Sequence, residues 1–293
     1  MTDRVVGYVR FSVVTQTHKR GYQQTRDVSV DEALKTMLAP ERIRQRLRFL
    51  ELMPLASLAS QTDKDFEVIL LTSTHLDAAS RDVLRDIESR LSFLQVVELG
   101  LDDSVADFIA GTVTAGTRTI SFRLDDDDAV HPDHIASLRA AAVGRDECVL
   151  SAPDGLYVQA HGTGFLVKRK HYVTNAYGIG YVSGGGSTIW THGNHSTIAG
   201  EVAVSNPAPE AWIRSVHAGM DTRDRLHPRT SRFVEAEQMA AMLPAFGFID
   251  FDRYHEVMLA TGPVAPGIGL RSRFRWTTRA VGMRRSAVTS WRR

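Results

Sequence analysis

The sequence predicts an α/β fold, a doubly wound and mostly parallel sheet with helices on both faces and a more irregular second half. Two observations predict it. Short β-branched apolar runs alternate with amphipathic segments over about the first 145 residues, and repeated βαβ units of this kind usually build a parallel sheet. From about residue 151 the sequence changes to short segments rich in glycine, serine, threonine and histidine.

The first half predicts strands and helices in regular alternation. Apolar runs predict four strands, at residues 5–14, 66–71, 94–99 and 119–124. Amphipathic spacing predicts helices at 40–60, 80–91 and 104–114, and a further helix begins near Pro132. Pro54 interrupts the first of these helices, so we expect it to divide into two. Because ligands of such sheets bind at the carboxyl ends of the strands, the residues after each strand are the first place to look for a site.

The second half predicts shorter elements. Residues 155–167 and 178–190 suggest short strands and turns, with Gly184–Gly186 in a hairpin turn between 178–183 and 187–190 or in a flexible loop. A proline-rich segment at 205–209 leads into a predicted helix that carries Trp212. We expect a last helix over 231–243, ended by Pro244.

Composition narrows the classes of protein. The 293 residues are 43% hydrophobic and 24% charged, which is ordinary for a globular chain and excludes disorder as the dominant state. A single cysteine, Cys148, excludes a disulfide framework and a multi-cysteine metal site. No run approaches the roughly 18 apolar residues of a membrane span, and the N-terminus has no leader pattern, so we expect a cytoplasmic protein. We expect one domain over 1–270, with a nucleotide half at 1–145 and an acceptor half at 146–270.

Residues 271–293 form a basic tail with eight arginines and no acidic residue, which leaves residues 1–270 with a net charge of −7. Aromatic residues lie among these arginines, a pattern typical of peripheral attachment to anionic lipid, here at the inner face of the membrane. A nucleic-acid arm would have similar charge, although we expect no nucleic-acid partner. The alternative is a solvated helix that packs on the acidic body.

Four consecutive aspartates, Asp125, Asp126, Asp127 and Asp128, are the most informative feature of the sequence. Like charges at the end of a buried strand repel one another and contribute nothing to folding. Converging carboxylates at this edge favour a hard divalent cation, Mn²⁺ or Mg²⁺, shared with substrate phosphates. Asp125 and Asp127 form a D-x-D pair on one side of the strand. The alternative is a solvated acidic turn or a cap for the helix near Pro132.

Two segments resemble GT-A-type nucleotide-sugar glycosyltransferases. Residues 57–72 (SLASQTDKDFEVILLT) resemble the Q-T-x-x-x-F-E turn of the large inverting family, and 123–138 (RLDDDDAVHPDHIASL) resemble its D-x-D-D segment. More narrowly, a bacterial family of putative rhamnosyltransferases is resembled by Arg10-Phe11-Ser12, the Arg46–Leu58 helix, residues 123–135 (RLDDDDAVHPDHI) and Gly164-Phe165. The resemblance covers about the first 170 residues. It implies a GT-A-like, Rossmann-like fold and a metal-dependent enzyme that transfers a sugar from a nucleotide diphosphate to a glycan, lipid-linked or cell-envelope polysaccharide acceptor.

The resemblance also implies a set of site residues. The predicted metal ligands are Asp125, Asp127, Asp128 and His217, and the predicted donor-binding residues are Arg10, Phe11, Thr72, Arg123, Asp125 and Asp126. An arginine fork matches phosphate oxygens, which suits Arg10 and Arg123. The alternatives are an ion pair of Arg123 with a neighbouring aspartate, strand-end capping by Thr72, and a structural hydrogen bond of His217.

An inverting transfer needs a general base for the acceptor hydroxyl. The candidate carboxylates are Glu201, Glu210, Asp221 and Asp224, of which we select Asp221 and Glu210. The Q-x-x-R-W pattern of the large inverting family is absent from this region, so the stereochemical outcome stays open.

Two other functions compete. A nucleotidyl- or phosphotransferase would also use paired aspartates and Mg²⁺, but such enzymes usually have a glycine-rich phosphate loop near the first strand, and residues 5–17 offer none. A non-enzymatic protein that binds nucleic acid or lipid would depend on residues 271–293 instead.

Overall fold

The computed structural model describes residues 3–17, 22, 24–114, 116–192, 200–221 and 224–262. The basic tail, residues 271–293, and the membrane contact predicted for it lie outside these described residues. Within the described ranges, no helix has both the length and the apolar character needed to cross a membrane.

The first half contains the predicted alternation of strands and helices. Its elements are β1 (Arg4–Arg10), α1 (Val30–Met37), α2 (Pro40–Leu50), α3 (Ala56–Ala59), β2 (Glu67–Ser73), α4 (Ala78–Arg90), β3 (Leu94–Leu99), α5 (Val105–Gly111), β4 (Thr119–Asp125), β5 (Ala129–Val130) and α6 (His134–Ala142). The four long strands confirm the predicted ones to within a few residues. Helix α1 was not predicted; it begins with a capping box between Ser29 and Glu32.

The second half is built of shorter elements. They are β6 (Cys148–Ser151), β7 (Asp154–His161), β8 (Gly164–His171), β9 (Gly180–Ser183), α7 (Ile189–His192), β10 (Val202–Val204), β11 (Trp212–Ser215), β12 (Arg232–Glu235), α8 (Ala236–Met242) and α9 (Phe251–Ala260).

A seven-stranded sheet in the order β10-β6-β9-β4-β1-β2-β3 forms the centre of the molecule. Strand β1 pairs in parallel with β2 and β4, and β9 runs antiparallel to β4 and β6. Helices α4 and α6 pack on one face, through Leu84 and Leu138, and α5 packs on the other through Ile109. The mostly parallel sheet with helices on both faces is therefore confirmed.

A second sheet of five strands, in the order β12-β8-β7-β11-β5, packs beside the first. Strand β4 of the first sheet ends at Asp125, and β5 of the second begins at Ala129. The aspartate run thus forms one of the short connections between the two sheets.

Helices α2 and α3 are joined without a break by a π-helical segment, Glu51–Leu55, that contains Pro54. Proline has no amide hydrogen, and the wider π turn accommodates its ring. The expected division at Pro54 therefore takes the form of a π bulge. Phe49 and Leu52 pack into the second sheet's apolar cluster, whereas Leu50 and Leu55 pack against the first sheet.

Three predictions for the second half are wrong. Trp212 opens strand β11 instead of a helix, because residues 212–215 pair with β5 and β7. The segment 187–190 is no hairpin strand: β9 pairs with β4 and β6, and Ile189–His192 form a helical turn. Only the latter part of 231–243 is helical, since residues 232–235 pair with β8.

Candidate functional site

A cavity of about 690 Å³ lies at the carboxyl ends of β1 and β4. Its lining combines six arginines, six aspartates, four tyrosines and a tryptophan with small polar and apolar residues. The lining residues are Arg10, Tyr22, Arg26, Arg42, Arg46, Arg123, Asp125, Asp126, Asp127, Asp128, Tyr157, Tyr172, Thr174, Asn175, Ala176, Tyr177, Trp190, Arg214, Ser215, Met220, Asp221 and Asp224. A volume of this size is typical of a small-molecule site.

Both sheets hold the aspartate turn in place. Arg10 pairs with Asp125 in the register of β1 and β4, so the two side chains lie at the same edge, 3.3 Å apart between Nη2 and Oδ1. On the other side, the Ser215 amide of β11 donates to Asp128 Oδ1 at 3.0 Å, and the Ser215 hydroxyl donates to the Asp127 carbonyl. The turn is therefore built into the junction of the sheets and does not extend into solvent.

Arg46 of α2 supplies the main counter-charge to these acids. Its Nε donates to Asp126 Oδ2 at 2.6 Å, its Nη2 contacts the other oxygen of Asp126, and its Nη1 lies 3.6 Å from Asp127 Oδ2. Asp126 is only 1% exposed, so this fork compensates a charge that water does not reach.

The pKa values of two adjacent carboxyl groups in this turn, Asp127 and Asp128, are shifted in opposite directions. Burial raises the pKa of Asp127, but Arg46 and His217 outweigh burial and hold that pKa below its ordinary value. Burial raises the pKa of Asp128 well above its ordinary value, and the charges of Asp127 and Asp125 raise it further. The turn therefore holds an ionised Asp127 beside a carboxyl group that retains its proton more readily.

His217 is fixed by contacts on both ring nitrogens. Its Nδ1 accepts a hydrogen bond from the Gly219 amide at 3.1 Å, so its Nε2 carries the hydrogen and donates to Asp127 Oδ2, also at 3.1 Å. The ring stacks on Phe49 with 4.3 Å between centroids. In this arrangement His217 orients Asp127, and metal ligation would require it to give up that hydrogen bond.

Arginine and aromatic side chains form one end of the cavity. The Arg10 guanidinium lies 4.7 Å from the centroid of the Trp190 ring and 5.4 Å from that of Tyr22. Arg123 lies 5.5 Å from the same tryptophan. Burial lowers the pKa of Arg123 to about 10. Cation–π stacking holds both arginines at the strand ends, where a ligand would meet them.

A tyrosine cluster forms another wall of the cavity. Arg214 Nη1 donates to the Tyr157 hydroxyl at 2.8 Å and to Asp224 Oδ2 at 2.6 Å, and it also contacts the Tyr177 hydroxyl. The two tyrosine hydroxyls lie 2.8 Å apart. This wall presents aromatic rings and hydroxyl groups, the combination that binds the faces and edges of polar rings.

The structure brings most of the predicted site residues together. Those that line the cavity are Arg10, Arg123, Asp125, Asp126, Asp127, Asp128 and Asp221. His217 lies directly behind Asp127. Asp221 Oδ1 accepts a hydrogen bond from the backbone amide of Gln24 at 3.0 Å.

Besides His217, three predicted site residues do not reach the cavity lining. Phe11 is fully buried in the apolar cluster of the first sheet, and the Thr72 side chain is fully buried within β2. Glu210 pairs with Arg169. Their assignments to donor binding or base catalysis gain no support from this geometry.

Sequence reasoning missed several residues of the cavity, chiefly Arg42, Arg46, Trp190 and Arg214. Arg46 begins the segment 46–58, which carries part of the family resemblance, but no site role was predicted for it. The four-residue spacing of Arg42 and Arg46 places both on one face of α2. Trp190 and Arg214 come from short segments of the second half, and no local pattern indicates that these reach the first sheet.

The carboxylates of this site fit a divalent cation that is shared with a substrate. Among the described residues, no group of three or more histidine, cysteine or acidic side chains is arranged as a complete metal site. Mg²⁺ is commonly held by one or two carboxylates together with substrate phosphates and water. Asp125 and the ionised Asp127 both line the cavity and offer that oxygen donor set. Asp128 also lines the cavity, but its Oδ1 already accepts a hydrogen bond from the Ser215 amide, which leaves Oδ2 for a cation.

Fold and site together define an α/β protein with a charged ligand cavity at the carboxyl ends of a mostly parallel sheet. The chain belongs to the family described as "Putative rhamnosyl transferase", whose model matches residues 4–228. The matched span includes every residue that lines the cavity. No curated protein sequence matches the chain.

Solved structures of nucleotide-sugar enzymes show a distant likeness. S. aureus TarS 1-349 in complex with UDP-GlcNAc has 11% identity and a TM-score of 0.41, covering 86% of this chain and 69% of TarS 1-349. Its complex with UDP has 10% identity and a TM-score of 0.39, and the match spans 73% of this chain and 61% of that one. The mannosyltransferase PcManGT from Pyrobaculum calidifontis, in complex with GDP-Man and Mn²⁺, has 12% identity and a TM-score of 0.30, covering 52% and 36% of the two chains.

Proposed function

We propose that this protein transfers a sugar from a nucleotide-diphosphate donor to a glycan or lipid-linked acceptor. The observation that carries the proposal is the cavity at the carboxyl ends of β1 and β4, where arginines and the D-x-D pair meet in a member of a rhamnosyl transferase family. Rhamnose is the first donor sugar to test, because the family description names it.

The donor diphosphate would bind between the arginines and the aspartate turn. Arg10 and Arg123 present guanidinium groups at the strand ends, where their forks match phosphate oxygens. Asp125 and Asp127 would hold Mn²⁺ or Mg²⁺, which when bound neutralises charge on the leaving diphosphate. His217 would keep Asp127 oriented and ionised through its Nε2 hydrogen bond.

The acceptor would bind toward the tyrosine wall. Tyr157, Tyr172 and Tyr177 line the cavity there, and Tyr172 is 38% exposed at its mouth. Asp221 is the carboxylate we propose as general base, since it lines the cavity whereas Glu210 pairs with Arg169. The alternative base on the same wall is Asp224, which Arg214 already holds at 2.6 Å.

The proposal is tested first by ligand binding. Thermal stabilisation is measured with UDP, GDP, dTDP and CMP, each with and without Mn²⁺, and sugar nucleotides of the best base are then assayed for turnover. A ligand at 100 times its Kd stabilises by about 2.7 kcal/mol. We expect one diphosphate to raise the Tm, and more so with Mn²⁺. If no nucleotide raises the Tm under any of these conditions, the proposal is wrong.

A substitution in the D-x-D pair tests the metal-binding role proposed for Asp127. Asp127→Asn keeps the shape of the side chain but removes its charge, and we expect it to lower Mn²⁺-dependent turnover at least 100-fold. Asp86→Asn, on the exposed face of α4, is the control and should keep full activity. Full activity of Asp127→Asn, or a loss matched by a collapsed Tm, would contradict the role given to Asp127.

A further inference from the structure

Arg42 of α2 lines the cavity, but its hydrogen-bond partners are neutral. Its Nη1 donates to the Ser12 hydroxyl at 2.9 Å and to the Met37 carbonyl at 2.8 Å. Three other cavity arginines, Arg10, Arg46 and Arg214, each have an aspartate within 4.0 Å. Among the described residues, no carboxylate lies within that distance of Arg42.

The charge of Arg42 is therefore only partly compensated by the protein itself: Asp127 and Asp221 favour it at longer range, but neither lies within ion-pair distance. Its Nε is buried without a hydrogen-bond partner in the described parts of the chain. Burial, and next the like charge of Arg46, lower the pKa of Arg42 to about 10. A buried cation beside another cation is costly unless an anion joins it.

The backbone holds this guanidinium in place. Ser12, which follows β1, has a φ of 52°, in the left-handed region that a serine rarely adopts. Such conformations are strained and cluster at ligand sites. Here the conformation sets the Ser12 hydroxyl against Arg42, while the Met37 carbonyl fixes the same nitrogen. Two anchors on Nη1 leave the rest of the fork oriented before any ligand arrives.

We propose that Arg42 is an anion-binding residue that donates hydrogen bonds to phosphate oxygens of the donor's diphosphate. The inference rests on the proposed function and assigns to it a residue that neither the family motif nor the strand ends indicate. A diphosphate suits this position better than a carboxylate, because it carries more charge to offset Arg42 beside Arg46. It also has enough oxygens to serve Arg10 and Arg123 at the same time.

The test measures binding, so it does not depend on turnover. Titration calorimetry without metal, in EDTA, compares three probes: inorganic pyrophosphate, the nucleoside diphosphate that stabilises the wild type best, and its uncharged nucleoside. We expect Arg42→Gln to weaken binding of the two diphosphates about 10- to 100-fold, the range for hydrogen bonds to charged groups. Affinity for the nucleoside should stay within twofold. Arg42→Lys keeps the charge but lacks the guanidinium fork, so its affinity for the diphosphates should lie between those of the wild type and Arg42→Gln.

The matched control is Arg44→Gln on the same helix, where Arg44 is exposed and pairs with Glu41. It should bind all three probes as the wild type does. Ser12→Ala is a second variant that keeps the Arg42 charge and removes one anchor, and we expect it to weaken diphosphate binding about threefold to tenfold. If Arg42→Gln does not fold, Arg42→Lys and Ser12→Ala decide the question.

The outcomes separate this inference from the proposed function. Wild-type protein that binds a nucleoside diphosphate, with Arg42 variants that bind it equally well, overturns the role of Arg42 and leaves the function standing. If the wild type binds only with Mn²⁺, the same comparison of variants is made with Mn²⁺. Wild-type protein that binds neither pyrophosphate nor any nucleoside diphosphate, with or without Mn²⁺, overturns both. An equal loss for the nucleoside and the diphosphates would show that Arg42 only shapes the cavity, and would also overturn the inference.

Discussion

Neighbouring carboxyl groups in the aspartate turn have different environments. Asp127 faces Arg46 and His217, whereas Asp128 is buried, feels the charges of Asp127 and Asp125, and accepts a hydrogen bond from the Ser215 amide. Environment, and not residue type, therefore sets which of two identical groups carries charge. This division keeps Asp127 ionised for a ligand and reduces the negative charge that would otherwise accumulate in the turn.

Asp128→Asn should stabilise the protein at high pH. A group whose folded pKa is raised contributes stability at low pH and loses it as pH rises through the folded pKa, and asparagine cannot ionise. We expect the variant to exceed the wild-type Tm by a few degrees at pH 8, at roughly 2–4 °C for each kcal/mol. The difference should disappear near pH 4. Thermal unfolding between pH 4 and 8 checks this, with Asp82→Asn on the exposed face of α4 as control. A variant less stable than wild type at pH 8 would contradict it.

Helix α2 carries three side chains that serve the site from one face. Arg42, Arg46 and Phe49 follow the i, i+4, i+7 spacing of a helix, and they contact Ser12, Asp126 and His217 respectively. The π bulge after Leu50 then changes which residues face each sheet. Helix α2 thus positions these three contacts of the site relative to both sheets.

The ion pair between Arg46 of α2 and Asp126 of the aspartate turn should show strong energetic coupling in the free energy of unfolding. Arg46→Met leaves Asp126 buried without its counter-charge, and we expect a loss of about 3–5 kcal/mol in the free energy of unfolding. Asp126→Asn should cost less, because Arg46 still lies near Asp127. The double variant should be more stable than the sum of the single changes predicts. Urea denaturation of the four proteins measures the coupling, and strictly additive losses would show that the fork contributes nothing.

The sequence predicted the first half of the fold well, because each strand there is an apolar run bounded by polar residues. It failed where pairing partners decide the structure. Residues 212–215 have no strand signal of their own and form β11 because β5 and β7 flank them. The same limit applies to the site. The aspartate run was visible as a motif, but Arg42 and Trp190 join the cavity only through tertiary packing, which local spacing does not record.

At the scale of the whole molecule, two apolar clusters share a single helical segment. Leu50 and Leu55 belong to the cluster under the first sheet, and Phe49 and Leu52 belong to that of the second. The chain also passes directly from β4 to β5 through the aspartate turn. These connections support the proposal that residues 1–270 form one domain.

Removal of residues 271–293 should leave that domain intact. We expect the shortened protein to unfold in one calorimetric transition and to bind the donor nucleotide as the full chain does. Binding to vesicles with anionic lipid should fall sharply, because the tail carries eight arginines and no acid. Neutral vesicles serve as the control. Two separate transitions would contradict the single domain, and undiminished vesicle binding would contradict the role of the tail.

The link from β4 of the first sheet to β5 of the second has only three residues, since β4 ends at Asp125 and β5 starts at Ala129. Ala129 pairs with Ile213 and Val130 with Trp212, and these neighbours point to opposite faces of the second sheet. One inserted residue would exchange the two faces of β5 and draw the Ser215 amide away from Asp128. The strand register therefore constrains the length of this stretch separately from the chemistry of its side chains.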